Sequence, residues 1–143
     1  MSNVPLHILY AEDDEEDRYF FREAVLEFSE TVVMTEFEDG SFLIRFLMGL
    51  EDPSAIPYAI VSDINMPAMS GKDVLKVLQL NARLQHIPAV ILTTSSSRQD
   101  RELCQRLGAK GFFSKPNSVA EVKQIARDII ALCKTLSTGA TKS

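Results

Sequence analysis

A basic stripe is missing from this sequence. Its 15 Lys and Arg are outnumbered by 20 Asp and Glu, leaving a formal charge of −5 over 143 residues. That balance does not suit a surface meant to neutralise a nucleic-acid backbone, so direct binding of nucleic acid is not expected. Long apolar runs are missing too, and residues 1–6 hold no basic region followed by a hydrophobic block. Neither a membrane span nor a leader is expected. Cysteine is scarce: Cys104 and Cys133 stand apart, each inside a helix-like apolar pattern. A reduced, cytoplasmic protein is expected, and no disulfide is suggested. His7 and His86 belong to no partner pattern and are read as structural or exposed. Apolar residues are plentiful at 45% of the chain, enough for one domain with a real core.

Five short apolar runs of strand type fall at 7–11, 32–37, 59–62, 89–93 and 111–113. Helical patterns separate them. Over 17–28, Phe20, Phe21, Ala24, Val25 and Phe28 recur at helical spacing opposite acids and arginines. Further helices are predicted at 42–50, after an Asp39-Gly40 turn, at 73–80, after Gly71, and at 98–107, ending on Gly108 as a C-cap. The last runs over 119–136, with Val122, Ile125, Ala126, Ile129, Cys133 and Leu136 on one stripe. Ser118 and Glu121 supply its capping-box pattern. Strands alternating with helices predict an α/β domain, a parallel sheet covered on both faces. Strands one, three and four are near-continuous apolar runs, as central strands are, while Thr35 and Glu36 mark strand two as an edge. Residues 48–57 read as an irregular loop with two prolines. The domain is expected to span 1–136, followed by a polar tail at 137–143 that frays.

In such sheets ligands gather at the carboxyl ends of the strands. Strand one runs into six acids in succession, Glu12, Asp13, Asp14, Glu15, Glu16 and Asp17. The last three suit the solvated start of a helix, where the macrodipole favours acids. Strand three ends at Asp63, which brings another carboxylate to the rim occupied by Glu12 and Asp13. A hard divalent cation such as Mg²⁺, needing few carboxylates, resolves their repulsion. Strand four ends in Thr93, and strand five is followed by Lys115-Pro116. A carboxylate nucleophile, a cation site, a hydroxyl and an ammonium at one point make a phosphoryl-transfer constellation, with an aspartyl phosphate as its product. Taken singly, each has an ordinary alternative: Asp63 as a strand-end acid, Lys115 as a solvated lysine, Thr93 as a strand terminus, Phe112 as plain core.

The acidic pair after strand one, Asp63-Ile64-Asn65-Met66-Pro67 after strand three, Thr93 and Lys115-Pro116 together resemble the signature of the response-regulator receiver family. The resemblance covers nearly the whole chain. It implies a flavodoxin-like five-stranded sheet in the order 2-1-3-4-5. Asp63 would be the phosphoacceptor, Asp13 a direct Mg²⁺ ligand, Glu12 a ligand through water, and Asn65 a ligand through its backbone carbonyl. Lys115 would pair with Asp63 or its phosphate. Thr93 would bond a phosphoryl oxygen and, with Phe112, form the switch, while Ser95 would sit with Asn65 beside the path of the hydrolytic water. Lys115-Pro116 would be a cis peptide. Glu12 stands where many receivers have Asp, and Phe112 where tyrosine is frequent, so packing rather than a phenol hydroxyl must report the state.

The long loop before strand three and the run Leu92-Thr93-Thr94-Ser95 resemble stand-alone receivers of the phytochrome-associated kind. The implied partners are a sensor histidine kinase or phosphotransfer protein and a separate downstream protein or second copy, met through helix four, strand five and helix five. No output domain is expected. Two rivals stay open: a Mg²⁺-dependent phosphatase with an aspartate nucleophile, against which Asn65 stands where a second acid is usual, and a pseudo-receiver acting only as a binding module.

Overall fold

The apolar runs become strands that pair side by side, the most apolar of them at the centre, and the amphipathic segments become helices that cover them. The computed structural model describes residues 4–28 and 31–142, with side chains as far as residue 137. Residues 1–3, part of the expected leader-free N-terminus, and Ser143 of the expected tail lie outside the described residues. In chain order the elements are β1 (Leu6–Ala11), α1 (Glu15–Phe28), β2 (Val32–Phe37), α2 (Gly40–Met48), β3 (Tyr58–Ser62), α3 (Gly71–Leu80), β4 (Ala89–Thr93), α4 (Arg98–Arg106), β5 (Gly111–Ser114) and α5 (Val119–Lys142). The strands form one sheet in the order β2-β1-β3-β4-β5, with every neighbouring pair parallel. This is the α/β class and the flavodoxin-like order the sequence and its resemblance imply. The edge position of β2 matches its half-exposed side chains.

Alternation along the strands divides the core in two. Ile8, Tyr10, Val61, Val90 and Leu92 face α1 and α5, where they meet Phe21, Val25, Ala126, Ile129 and Cys133. Leu9, Ala11, Ile60 and Ile91 face the other way, onto Leu43, Leu47, Val74, Leu75, Leu78 and Cys104. The two cysteines therefore lie in different cores with the sheet between them, and both are free thiols.

The helix ends differ from the sequence expectation where a polar cap decides them. α1 starts at Glu15 rather than 17, because the Asp14 carboxylate accepts the Asp17 N–H at 3.0 Å. Asp39, expected as a turn residue, is the N-cap of α2: its side chain accepts from Ser41 N at 2.6 Å and Phe42 N at 3.4 Å. Asp39→Ala is expected to lower stability by about 1–2 kcal/mol. Urea unfolding should show a lower midpoint with an unchanged slope; an unmoved midpoint would deny the cap its weight. Gly108 ends α4 as expected, at φ +100, with Gly108 N bonded to Gln105 O and Ala109 N to Cys104 O, a Schellman closure. Ser118 caps α5, accepting the Glu121 N–H at 3.2 Å. That helix continues past Leu136 to Lys142, because extending a nucleated helix costs little even through weak formers.

The cis peptide implied by the resemblance is not found. No cis bond occurs among the described residues, so Lys115-Pro116 is trans, the isomer X–Pro bonds favour by about 0.5–1 kcal/mol.

Candidate functional site

The sheet ladder continues one residue beyond three of its strands, and this aligns the polar side chains that follow them. Glu12 N bonds Phe37 O at 3.0 Å, Asp63 N bonds Ala11 O at 3.1 Å, and Lys115 N bonds Thr93 O at 2.8 Å. Glu12 and Asp63 therefore leave the sheet at one level, and Lys115 leaves the same edge two residues further along the register, close enough for its long side chain to reach back. Oxygens of Glu12, Asp13 and Asp63 lie within 4.8 Å of one another. Lys115 Nζ stands 2.5 Å from Glu12 Oε1, 2.8 Å from Asp63 Oδ2 and 2.8 Å from Asp17 Oδ2.

Burial sets the electrostatics. Glu12 is 1% exposed and Asp63 5%, whereas Asp13 is exposed at the mouth. Asp63 Oδ1 accepts the Ile64 N–H at 2.6 Å, leaving Oδ2 to Lys115. Glu12 Oε2 accepts the Asp14 N–H at 3.0 Å. Its Oε1 is buried and makes no aligned hydrogen bond, so its contact with Lys115 is an ion pair alone. Burial pushes the Glu12 carboxyl up to about 7, against the pull of Lys115 and the Asp14 amide. Burial would also lower the Lys115 ammonium, but its contacts with the carboxylates of Asp17, Asp63 and Glu12 outweigh that and raise it above the ordinary lysine value. One ammonium thus serves several acids, and the remaining negative charge faces the open side at Asp13. Hard oxygen donors so close together, one without an aligned donor, fit a small divalent cation.

The turn after β3 is held by close backbone packing. Gly71 N bonds Ile64 O at 2.9 Å, and a Cβ at Gly71 would lie 2.2 Å from the Asp63 carbonyl oxygen. Asn65 sits exposed in this turn, two residues beyond Asp63.

Thr93 is fully buried, and its Oγ1 accepts the Ser95 N–H at 3.3 Å. Ile91 pairs with Phe112 across the sheet, and Phe112, half-buried, packs onto the same core as Ile91. Alternation along β4 turns Thr93 to that face as well. The Arg101 guanidinium lies 4.9 Å over the Phe112 ring.

The rim therefore brings together Glu12, Asp13, Asp63 and Lys115. Two contributors escape a reading of the sequence alone. Asp17, grouped there with the solvated acids, instead binds Lys115; the available signal was its position one helical turn beyond Asp13. Gly71 reads only as a helix start, and its contact with Asp63 needs the fold.

Known proteins show the same arrangement of family and fold. The model of the response regulator receiver domain matches residues 8–127. The two-component response regulator ARR15 of Arabidopsis thaliana is 31% identical over 87% of this chain and 62% of its own. The chain thus spans less than two thirds of that relative. The Mn²⁺-bound form of response regulator Rcp1 superposes with a TM-score of 0.75 at 27% identity, over 87% of this chain and 91% of that one. The phosphorylated cyanobacterial phytochrome response regulator RcpA does so with a TM-score of 0.77 at 25% identity, over 86% and 89%.

Proposed function

The chain belongs to the response regulator receiver domain family, and from that membership we propose that it is a phosphorylation switch with Asp63 as phosphoacceptor. Receiver domains are signalling modules rather than classical enzymes. The observation that carries the proposal is the buried Asp63 carboxylate sharing one ammonium with Glu12 and one cluster of oxygens with Glu12 and Asp13.

The phosphodonor in this reading is a phosphohistidine on a sensor kinase or phosphotransfer protein. An Asp63 oxygen attacks phosphorus as the P–N bond breaks, and the imidazole leaves with the electron pair. Lys115 then exchanges part of its carboxylate contact for a phosphoryl oxygen. Glu12, Asp13, Asp63 and the Asn65 carbonyl would hold Mg²⁺, with Glu12 acting through water. When bound, the cation neutralises charge on the equatorial phosphoryl oxygens. The likeness to an Mn²⁺-bound and to a phosphorylated regulator supports both halves of the reading. Thr93 would donate its hydroxyl to the phosphoryl group, and Phe112 would follow on the same face of the sheet. The surface of α4, β5 and α5 would then meet a second protein or a second copy. A cytoplasmic setting belongs to the same proposal; no helix among the described residues is long and apolar enough to cross a membrane.

Acetyl phosphate tests this directly. With Mg²⁺ the parent chain should gain one labile phosphoryl group by intact mass, while Asp63→Asn gains none. A phosphate that persists in the variant, or forms equally well with a chelator, rules Asp63 out. Steady turnover of a small phosphate ester would point instead to a phosphatase.

A further inference from the structure

A chain of polar contacts leaves Thr93 and ends on α3. Thr93 Oγ1 accepts the Ser95 N–H at 3.3 Å. Ser95 Oγ donates to Asp100 Oδ2 at 2.6 Å, and Lys72 Nζ donates to Asp100 Oδ1 at 2.7 Å. Lys72 directly follows Gly71, whose N–H is tied to the turn after Asp63. The contacts therefore run in one line from the Asp63 turn through Lys72, Asp100 and Ser95 to Thr93. The same loop is braced from within, since Ser97 N bonds Ser95 Oγ and Asp100 N bonds Ser97 Oγ, both at 3.2 Å.

The links differ in strength. Both bonds to Asp100 are short and charge-assisted, and Lys72 and then Ser95 hold its carboxyl below the usual range, so it is charged at neutral pH. The link to Thr93 is long. The Thr93 hydroxyl donates to no acceptor among the described residues. Its proton is therefore unspent. The next residue on α4, Arg101, covers the Phe112 ring. One turn of α4 thus touches Thr93, by way of Asp100 and Ser95, and Phe112, by way of Arg101.

We propose that Lys72 and Asp100 form a brake on the switch, clamping the β4–α4 loop in its unphosphorylated arrangement until the phosphoryl group draws Thr93 away. This deepens the reading of Asp63 as phosphoacceptor and rests on it. To carry Thr93 and Ser95 toward a group on Asp63, the loop must stretch the Ser95–Asp100 bond or pull Asp100 off Lys72. The weak Thr93–Ser95 contact offers little resistance, so the resistance resides in the ion pair. With side chains 29% and 24% exposed, that pair is strong enough to bias the loop and weak enough for phosphoryl charge to overcome. Its release frees α4 to shift, and Arg101 leaves Phe112.

Asp100→Asn and Lys72→Met separate this from a merely structural role, because a brake predicts a gain. Each variant should be labelled by acetyl phosphate and Mg²⁺ about fivefold faster than the parent. The double variant should be no faster than either single one, since both lose the same contact. Lys72→Arg, which keeps charge and donor, should keep the parent rate. Without any phosphodonor, amide exchange at Ser95 should quicken in Asp100→Asn. Unchanged or slower labelling in the single variants, or effects that multiply in the double variant, would overturn the brake. Should the parent itself take no phosphate, the Asp63 reading falls, and the exchange measurement still judges the clamp: unaltered protection at Ser95 overturns it.

Discussion

Lys115→Met, studied without Mg²⁺, is expected to lower the unfolding free energy by about 3–5 kcal/mol, the cost of leaving buried charges without their partner. Lys115 is 12% exposed and contacts Glu12 and Asp63, whose side chains are 1% and 7% exposed. Asp17, at 39%, is solvated enough to contribute little to the loss. The deficit should depend on pH. Glu12 has its ordinary value at 4.5 and is raised to about 7 in the folded chain, and loss of the ammonium raises it further. A carboxyl raised by folding adds stability below its unfolded value and loses it as pH climbs through the folded one. The variant should therefore lie nearest the parent at about pH 5 and furthest above about pH 8. Denaturant melts at both ends give the measurement. A deficit that is equal at the two pH values, or under about 1 kcal/mol throughout, would mean that these carboxylates do not depend on Lys115. Adding Mg²⁺ should return part of the loss, by supplying the missing positive charge.

Gly71→Val should damage stability and chemistry together. Its Cβ would stand 2.2 Å from the Asp63 carbonyl oxygen and 3.0 Å from the Ile64 Cα. Both obstacles are backbone, so no side chain can turn aside. The chain after β3 must move, at a cost of about 3 kcal/mol. That movement carries Asp63 and Asn65 with it, and a displacement near 1 Å is enough for about a hundredfold loss of reaction rate. Labelling by acetyl phosphate, measured well below the melting temperature of the variant, separates the two effects. A variant that melts early but labels at the parent rate would show that Gly71 serves the fold and not the site.

The central strands were legible because parallel strands covered on both faces are apolar at nearly every position, as 59–61 and 89–92 are. The rim was legible for a related reason: Glu12, Asp13, Asp63 and Lys115 each stand one or two positions beyond an apolar run, and topology places all such ends on one edge. Local competition hid other features. An acid in the first turn of a helix is ordinarily solvated, and that expectation outweighed the spacing of Asp17 from Asp13, the one local signal of its bond to Lys115. Asp39 before Gly40 suits a turn as well as a cap, and only the observed bonds to Ser41 and Phe42 distinguish them. The isomer of Lys115-Pro116 rests on a small energy difference that no local pattern reveals.

Composition and order alone determined the class of this protein, the run of its strands, and the types of group that meet at one edge. Periodicity and strand-end position are local properties of the chain. Tertiary structure decided how the charge is shared: three acids on one ammonium, Gly71 pressed against the backbone of Asp63, and α4 tied to α3 through Lys72 and Asp100. Those contacts join residues far apart in sequence, and their strength depends on burial and distances of a few ångströms, which exist only once the chain has folded.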